Sequence, residues 1–125
     1  MPHTTVEYSG TLTGALDKPG FGTALHEALV TIAGGRAAGC KTRFVRHDDL
    51  WIGDGSPHRA MIHVEVALLS GRDPETKRAL TAAVLAALRE HTAPTPQFEV
   101  QFSVDLRDLD REAYARHEEP RAVAP

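Results

Sequence analysis

Polar and apolar residues alternate along several stretches of the chain, and two stretches between them carry the spacing of a helix. Thr4-Thr5-Val6-Glu7-Tyr8, rich in β-branched and aromatic residues, predicts a strand, and Ser9 to Gly14 has turn composition. Phe21, Leu25, Ala28, Leu29 and Ile32 then follow helical periodicity, with Pro19 near the start and Gly34-Gly35 after the end. A loop of small residues, Gly34 to Gly39, leads into a second predicted strand, Lys41 to His47. Asp48 to Gly55 contains Leu50-Trp51-Ile52 and an Asp54-Gly55 turn signal, which predicts a short hairpin or a projecting arm.

The second half repeats this plan. Arg59 to Leu69 predicts a strand with Ile62, Val64, Val66 and Leu68 on one apolar face. Asp73-Pro74 supplies an N-cap and a proline for the first helical position, and Leu80, Ala83, Val84, Ala87 and Leu88 form that helix's buried stripe. Phe98, Val100, Phe102 and Val104 alternate with polar residues in a last, half-buried strand. In the tail from Asp108, one short helix is expected around Glu112 to Arg116, and Pro120 to Pro125 is expected to be disordered.

Each strand-helix-strand run implies a right-handed crossover between parallel strands. Val6-Glu7 and Val64-Glu65 occupy similar places, and each strand is followed by a Ser-Gly pair, Ser9-Gly10 and Ser70-Gly71. The expected architecture is therefore an α+β two-layer sandwich, β-α-β-β-α-β, in one domain spanning residues 1–125. Two pseudo-repeats, about 2–48 and 59–106, place two helices on one face of a four-stranded sheet, followed by the tail 107–125. The other face is left uncovered, and together with Trp51 on its arm this predicts a homo-oligomer.

Composition narrows the partners. The 125 residues suffice for one real core, and a formal net charge of -3 argues against nucleic-acid binding through bulk positive charge. Cys40 is the single cysteine, so neither an intrachain disulfide nor a multi-cysteine zinc site is possible. With no signal segment and no apolar run long enough to span a bilayer, the expected location is cytoplasmic, with no membrane partner.

The candidate chemistry begins at the first residues. If Met1 is removed, Pro2 carries a free secondary amine, and α-amino groups titrate near ~8, so modest burial or a nearby cation leaves it neutral. A strand beginning at once after Pro2 fixes where that amine points. Lys41 and Arg43, two apart on a strand, share a face and call for solvent or an anion. Arg72 falls in the loop where the third strand gives way to the second helix, a common place for function.

These parts suit proton transfer at a carbon next to a carbonyl, with neutral Pro2 as the base. Arg72 or the Lys41/Arg43 pair would meet the oxyanion, and the remaining cation a substrate carboxylate. The histidines offer no metal site: His58 and His63 point to opposite faces, His63 with Glu65 makes too few ligands, and His26 and His91 lie on helices. Cys40, beside Lys41, reads as a small buried residue rather than a nucleophile.

Taken together, Pro2-His3, Val6-Glu7-Tyr8-Ser9, the Arg43 strand, Trp51-Ile52-Gly53-Asp54-Gly55, His63 and Gly71-Arg72 resemble the 5-carboxymethyl-2-hydroxymuconate Δ-isomerase branch of the tautomerase superfamily. The resemblance covers roughly residues 2–106. It implies a homotrimer with the amino-terminal proline as catalytic base and no metal or organic cofactor. The implied reaction moves a proton along a conjugated 2-hydroxydienoate, converting an enol to its oxo isomer during degradation of aromatic acids. Arg72 matches the family's arginine after a glycine at the end of the third strand, and Lys41 and Arg43 match its pair of arginines on the second.

Two departures bear on the substrate. Lys41 stands where the family has arginine, offering a mobile point charge instead of a bidentate fork. The carboxy-terminal segment also lacks the branch's asparagine-rich motif. Two other readings follow: the same machinery acting as a promiscuous tautomerase, decarboxylase or hydratase on another small unsaturated acid, or a non-catalytic oligomeric binding module of the same fold.

Overall fold

The computed structural model describes residues 1–122. Its elements run β1 (His3–Ser9), α1 (Lys18–Thr31), β2 (Lys41–His47), β3 (Arg59–Leu69), α2 (Pro74–Glu90) and β4 (Glu99–Leu109), with short 3-10 turns at Gly10–Leu12 and Ala37–Gly39. The second and third strands begin and end where the polar-apolar alternation places them. β4 runs five residues beyond Val104, because β3 offers it a partner for its whole length, from Arg59↔Glu99 to Leu69↔Leu109.

The sheet order is β2-β1-β3-β4. β1 pairs parallel with β2, and β3 parallel with β4, as each crossover requires. The two halves meet in the middle, where β1 and β3 run antiparallel and Val6 lies directly opposite Val64. These are the residues matched between the pseudo-repeats, so a two-fold relation between halves would pass through this pair.

Both helices are capped by aspartate. The Asp17 side chain accepts from the Gly20 N–H at 3.1 Å, and the Asp73 side chain from the Thr76 N–H at 2.7 Å, each with a proline in the first turn. Every fourth residue of each helix is buried: Phe21, Leu25 and Leu29 on α1, Leu80, Val84 and Leu88 on α2. They meet Val6, Tyr8, Ile62, Val64, Val66 and Leu68 from the sheet in one core. Alternation then assigns His3, Thr5, Glu7, Lys41 and Arg43 to the face without helices.

Of the two forms expected for the segment after β2 one is selected, and one expectation in the tail is overturned. The Asp48 to Gly55 segment is an arm without strand pairing, because β2 is an edge strand and the chain must cross past β1 to reach β3. Trp51 on it is 80% exposed. No helix forms at Glu112 to Arg116. Asp110 closes a single turn, its carboxylate accepting from the Glu112 N–H (3.0 Å) and its carbonyl from the Tyr114 N–H (3.1 Å). Only Tyr114 is shielded among residues 110–118, so no apolar stripe exists to carry a helix further. The expectation for Pro120–Pro125 falls partly outside the described residues.

Candidate active site

The start of β1 is built into the sheet from its first residues. The Lys41 N–H donates to the Pro2 carbonyl at 3.0 Å, and Pro2 itself is buried. Gly35 makes room for its ring, since a Cβ there would stand 3.2 Å from Pro2 Cδ and 3.1 Å from the Leu29 carbonyl. Met1 fills the adjacent space, and its amine donates to the Gly39 carbonyl at 2.9 Å. A Cβ on Gly39 would come within 3.1 Å of that amine. The loop of small residues therefore forms the wall around the chain start, and its composition reflects that close approach.

This end of the sheet is positive. Lys41 reaches back to donate from Nζ to the Gly39 carbonyl at 3.0 Å, the same oxygen that holds the terminal amine. Burial first, then the Lys41 ammonium and, more weakly, the Arg116 guanidinium hold that amine below its ordinary value of 8.0. Arg43, exposed and on the same face as Lys41, donates from Nη1 to His3 Nδ1 at 3.2 Å. His3 Nε2 lies 2.8 Å from the Tyr114 hydroxyl. Burial, followed by Arg43, Lys41 and the terminal amine, pushes the His3 imidazole below its ordinary range.

Arg72 reaches the same end of the sheet but is turned to the backbone. Its Nε and Nη2 donate to the Ala33 carbonyl at 3.1 and 2.9 Å, and its Nη1 to the Leu69 carbonyl at 2.7 Å. It ties the end of β3 to the segment that leads into the Gly35 wall, and two of its five N–H groups remain. Pro2, Lys41 and Arg43 thus lie together through strand pairing, while Arg72 is bound to the backbone at Ala33 and Leu69. Cys40 is buried against the core, its Sγ near the Arg36 carbonyl at 3.5 Å, and burial raises its thiol despite the opposing pull of the terminal amine and Lys41.

Sequence reasoning did not single out His3 as part of the site, nor Tyr114 or Arg116. His3 is recognisable once β1 is paired in parallel with β2, because it then lies opposite Lys41 and on its face. Tyr114 and Arg116 come from a tail with no periodicity, and only the folded chain brings them near. Among the described residues no group of three His, Cys, Asp or Glu side chains is arranged to hold a metal ion. No helix among them is long and apolar enough to cross a membrane. A cavity of about 390 Å³ lies at the far end of β1, lined by Ser9, His47, Trp51 and Arg59 among others, away from this cluster.

The fold has solved counterparts. A 5-carboxymethyl-2-hydroxymuconate isomerase from Deinococcus radiodurans R1 superposes with a TM-score of 0.84 at 22% identity, over 94% of this chain and 90% of that one. A fused 4-OT wild-type symmetric trimer designated Q0 gives 0.71 at 27% identity, over 88% and 87%. A macrophage migration inhibitory factor from Toxoplasma gondii gives 0.68 at 14%, over 94% and 97%. No curated protein sequence matches the chain. A family model described as 5-carboxymethyl-2-hydroxymuconate isomerase matches residues 2–122. With nearly its whole length matched, and with the tautomerase fold in place, the chain belongs to the 5-carboxymethyl-2-hydroxymuconate isomerase family and is an isomerase.

Proposed function

We propose that the protein is a cofactor-free isomerase of a 2-hydroxymuconate-type unsaturated acid, with Pro2 as general base once Met1 has been removed. The observation that carries this reading is the anchoring of the chain start. Pro2 is buried at the head of β1, held by the Lys41 N–H, with Lys41 and Arg43 on the strand beside it. The space filled by Met1, bounded by Gly39 and Lys41, then becomes the place for substrate.

The amine lone pair takes the enol proton, the O–H electrons become the carbonyl, and the double bonds shift along the conjugated system. The prolinium returns the proton to carbon at the far end, so the reaction consumes nothing and releases nothing. Burial and the Lys41 charge keep the amine neutral and able to start the cycle. Lys41 and Arg43 hold a carboxylate, as their shared face favours. Arg72, fixed by its backbone bonds, keeps two N–H groups for the developing oxyanion and steadies the wall against which Pro2 packs. A homotrimer accompanies this reading, supported by the likeness to a fused 4-OT symmetric trimer.

The test is ultraviolet-monitored ketonisation of 2-hydroxymuconate and its 5-carboxymethyl derivative, on chains whose terminal mass is verified. Pro2→Ala keeps a free terminus but replaces the secondary amine, and turnover should fall about 10²-fold, within the range a positioned base contributes. Near-normal turnover of that variant sinks the role of Pro2. A wild-type chain beginning at Pro2 that turns over neither compound points to another small unsaturated acid.

A further inference from the structure

We propose that Tyr114, acting through His3, is a positioning residue for Arg43, which makes the carboxy-terminal segment 110–118 a working part of the site. The inference rests on the Pro2 reading for its kinetics, but its geometry stands apart from it. A guanidinium has only donors, so His3 Nδ1, 3.2 Å from Arg43 Nη1, must accept. The ring proton of the neutral imidazole is then on Nε2, which donates to the Tyr114 oxygen at 2.8 Å. The two rings meet edge to face, with centroids 6.0 Å apart at 63°. Arg43, which can only donate, selects the tautomer, and the Tyr114 hydroxyl, by accepting from Nε2–H, holds the ring in the orientation that presents its lone pair to Arg43.

The segment is fastened on either side of this contact. Arg111 donates to the Ser70 carbonyl at the end of β3, and Glu118 pairs with Arg36 in the loop before β2 and with Arg116 at 3.2 Å. It thus passes across His3 from one wall of the site to the other, and brings the Arg116 charge to bear on the terminal amine. Arg43 is exposed, and a long side chain loses rotamer freedom when fixed, so an acceptor at Nδ1 restricts its guanidinium before substrate arrives.

Protonation of His3 would place an N–H where Arg43 needs an acceptor. The groups facing the ring are Arg43 and Lys41 from β2, the terminal amine, and Tyr114 from the tail; Ala67, opposite His3 on β3, carries no charge. All the charged ones are cations, so the arrangement favours the neutral ring and the Arg43 contact down to pH values below the ordinary imidazole range.

The experiment measures steady-state ketonisation of 2-hydroxymuconate for wild type, Tyr114→Phe, His3→Asn and His3→Leu, with ¹⁵N NMR of the His3 ring in substrate-free wild type and Tyr114→Phe. Tyr114→Phe should raise KM about tenfold with kcat changed less than about twofold, the signature of lost substrate binding. His3→Asn, whose Oδ1 can stand in for Nδ1, should keep a lower KM than His3→Leu. The wild-type KM should rise as pH falls through the His3 titration, and that inflection should vanish in His3→Asn. The spectrum should show the Nε2–H tautomer in wild type, with the Nε2 resonance shifted in Tyr114→Phe by loss of its hydrogen-bond acceptor. An unchanged KM in Tyr114→Phe, a fall in kcat alone, a wild-type ring protonated on Nδ1, or an unmoved Nε2 resonance in Tyr114→Phe overturns the proposal. If Pro2→Ala proves as active as wild type, the base assignment fails, and the Nε2 resonance still decides the link between Tyr114 and His3.

Discussion

Space and charge around a single amine govern the residue scale. The cations that lower the Met1 amine, Lys41 foremost among them after burial, would act on the Pro2 amine once Met1 has left. A cation disfavours the protonated form, so the neutral base persists to lower pH, and the acid limb of kcat/KM should fall below the ordinary amine value of 8.0. Lys41→Gln removes that charge and should move the limb upward; a pH profile in which it stays in place removes Lys41 from the role. The shared face of Lys41 and Arg43 is legible in the sequence because strand alternation alone puts both cations on it. His3 is not, since its place depends on the register His3↔Lys41.

For the elements, the relevant quantity is how completely each buries its apolar stripe. Leu80 is fully buried on α2, where it packs into the core shared with β3. Leu80→Ala should therefore cost about 2–5 kcal/mol, read from the midpoint of a denaturant titration at unchanged slope. A loss below 1 kcal/mol would mean that the core collapses around the missing side chain. Strands and helices were legible from period, and the Asp73-Pro74 start was legible from capping chemistry, because these signals are local. The tail was misread for the same reason: residues 112–116 have tolerable helical composition, but only the contacts of Arg111, Tyr114 and Glu118 decide their path.

Across the whole molecule, the face without helices is polar. Glu7 meets His47 at 3.0 Å, His63 meets Ser103 at 2.6 Å, and Arg107 bridges Glu65 and Asp105 at 3.1 and 3.4 Å. Assembly through this face would join hydrogen-bonded ladders rather than an apolar patch, while Trp51 offers a separate apolar anchor at the arm. The proposed trimer predicts a light-scattering mass about three times the 13.6 kDa of one chain. A monomer mass at assay concentration would contradict it, and Trp51→Ala tests whether the arm contributes.

By itself the sequence determined the element order, the strand and helix faces, the start of α2 and the shared face of Lys41 and Arg43. Each depends on neighbours a few residues apart, where backbone period and capping leave one solution. Only the tertiary structure decided that the halves meet antiparallel at Val6 and Val64, that Arg72 turns to the backbone, and that Tyr114 reaches His3 across 111 residues of chain. Such long-range pairings are set by how separate elements share one core and one sheet, and no local pattern encodes that choice.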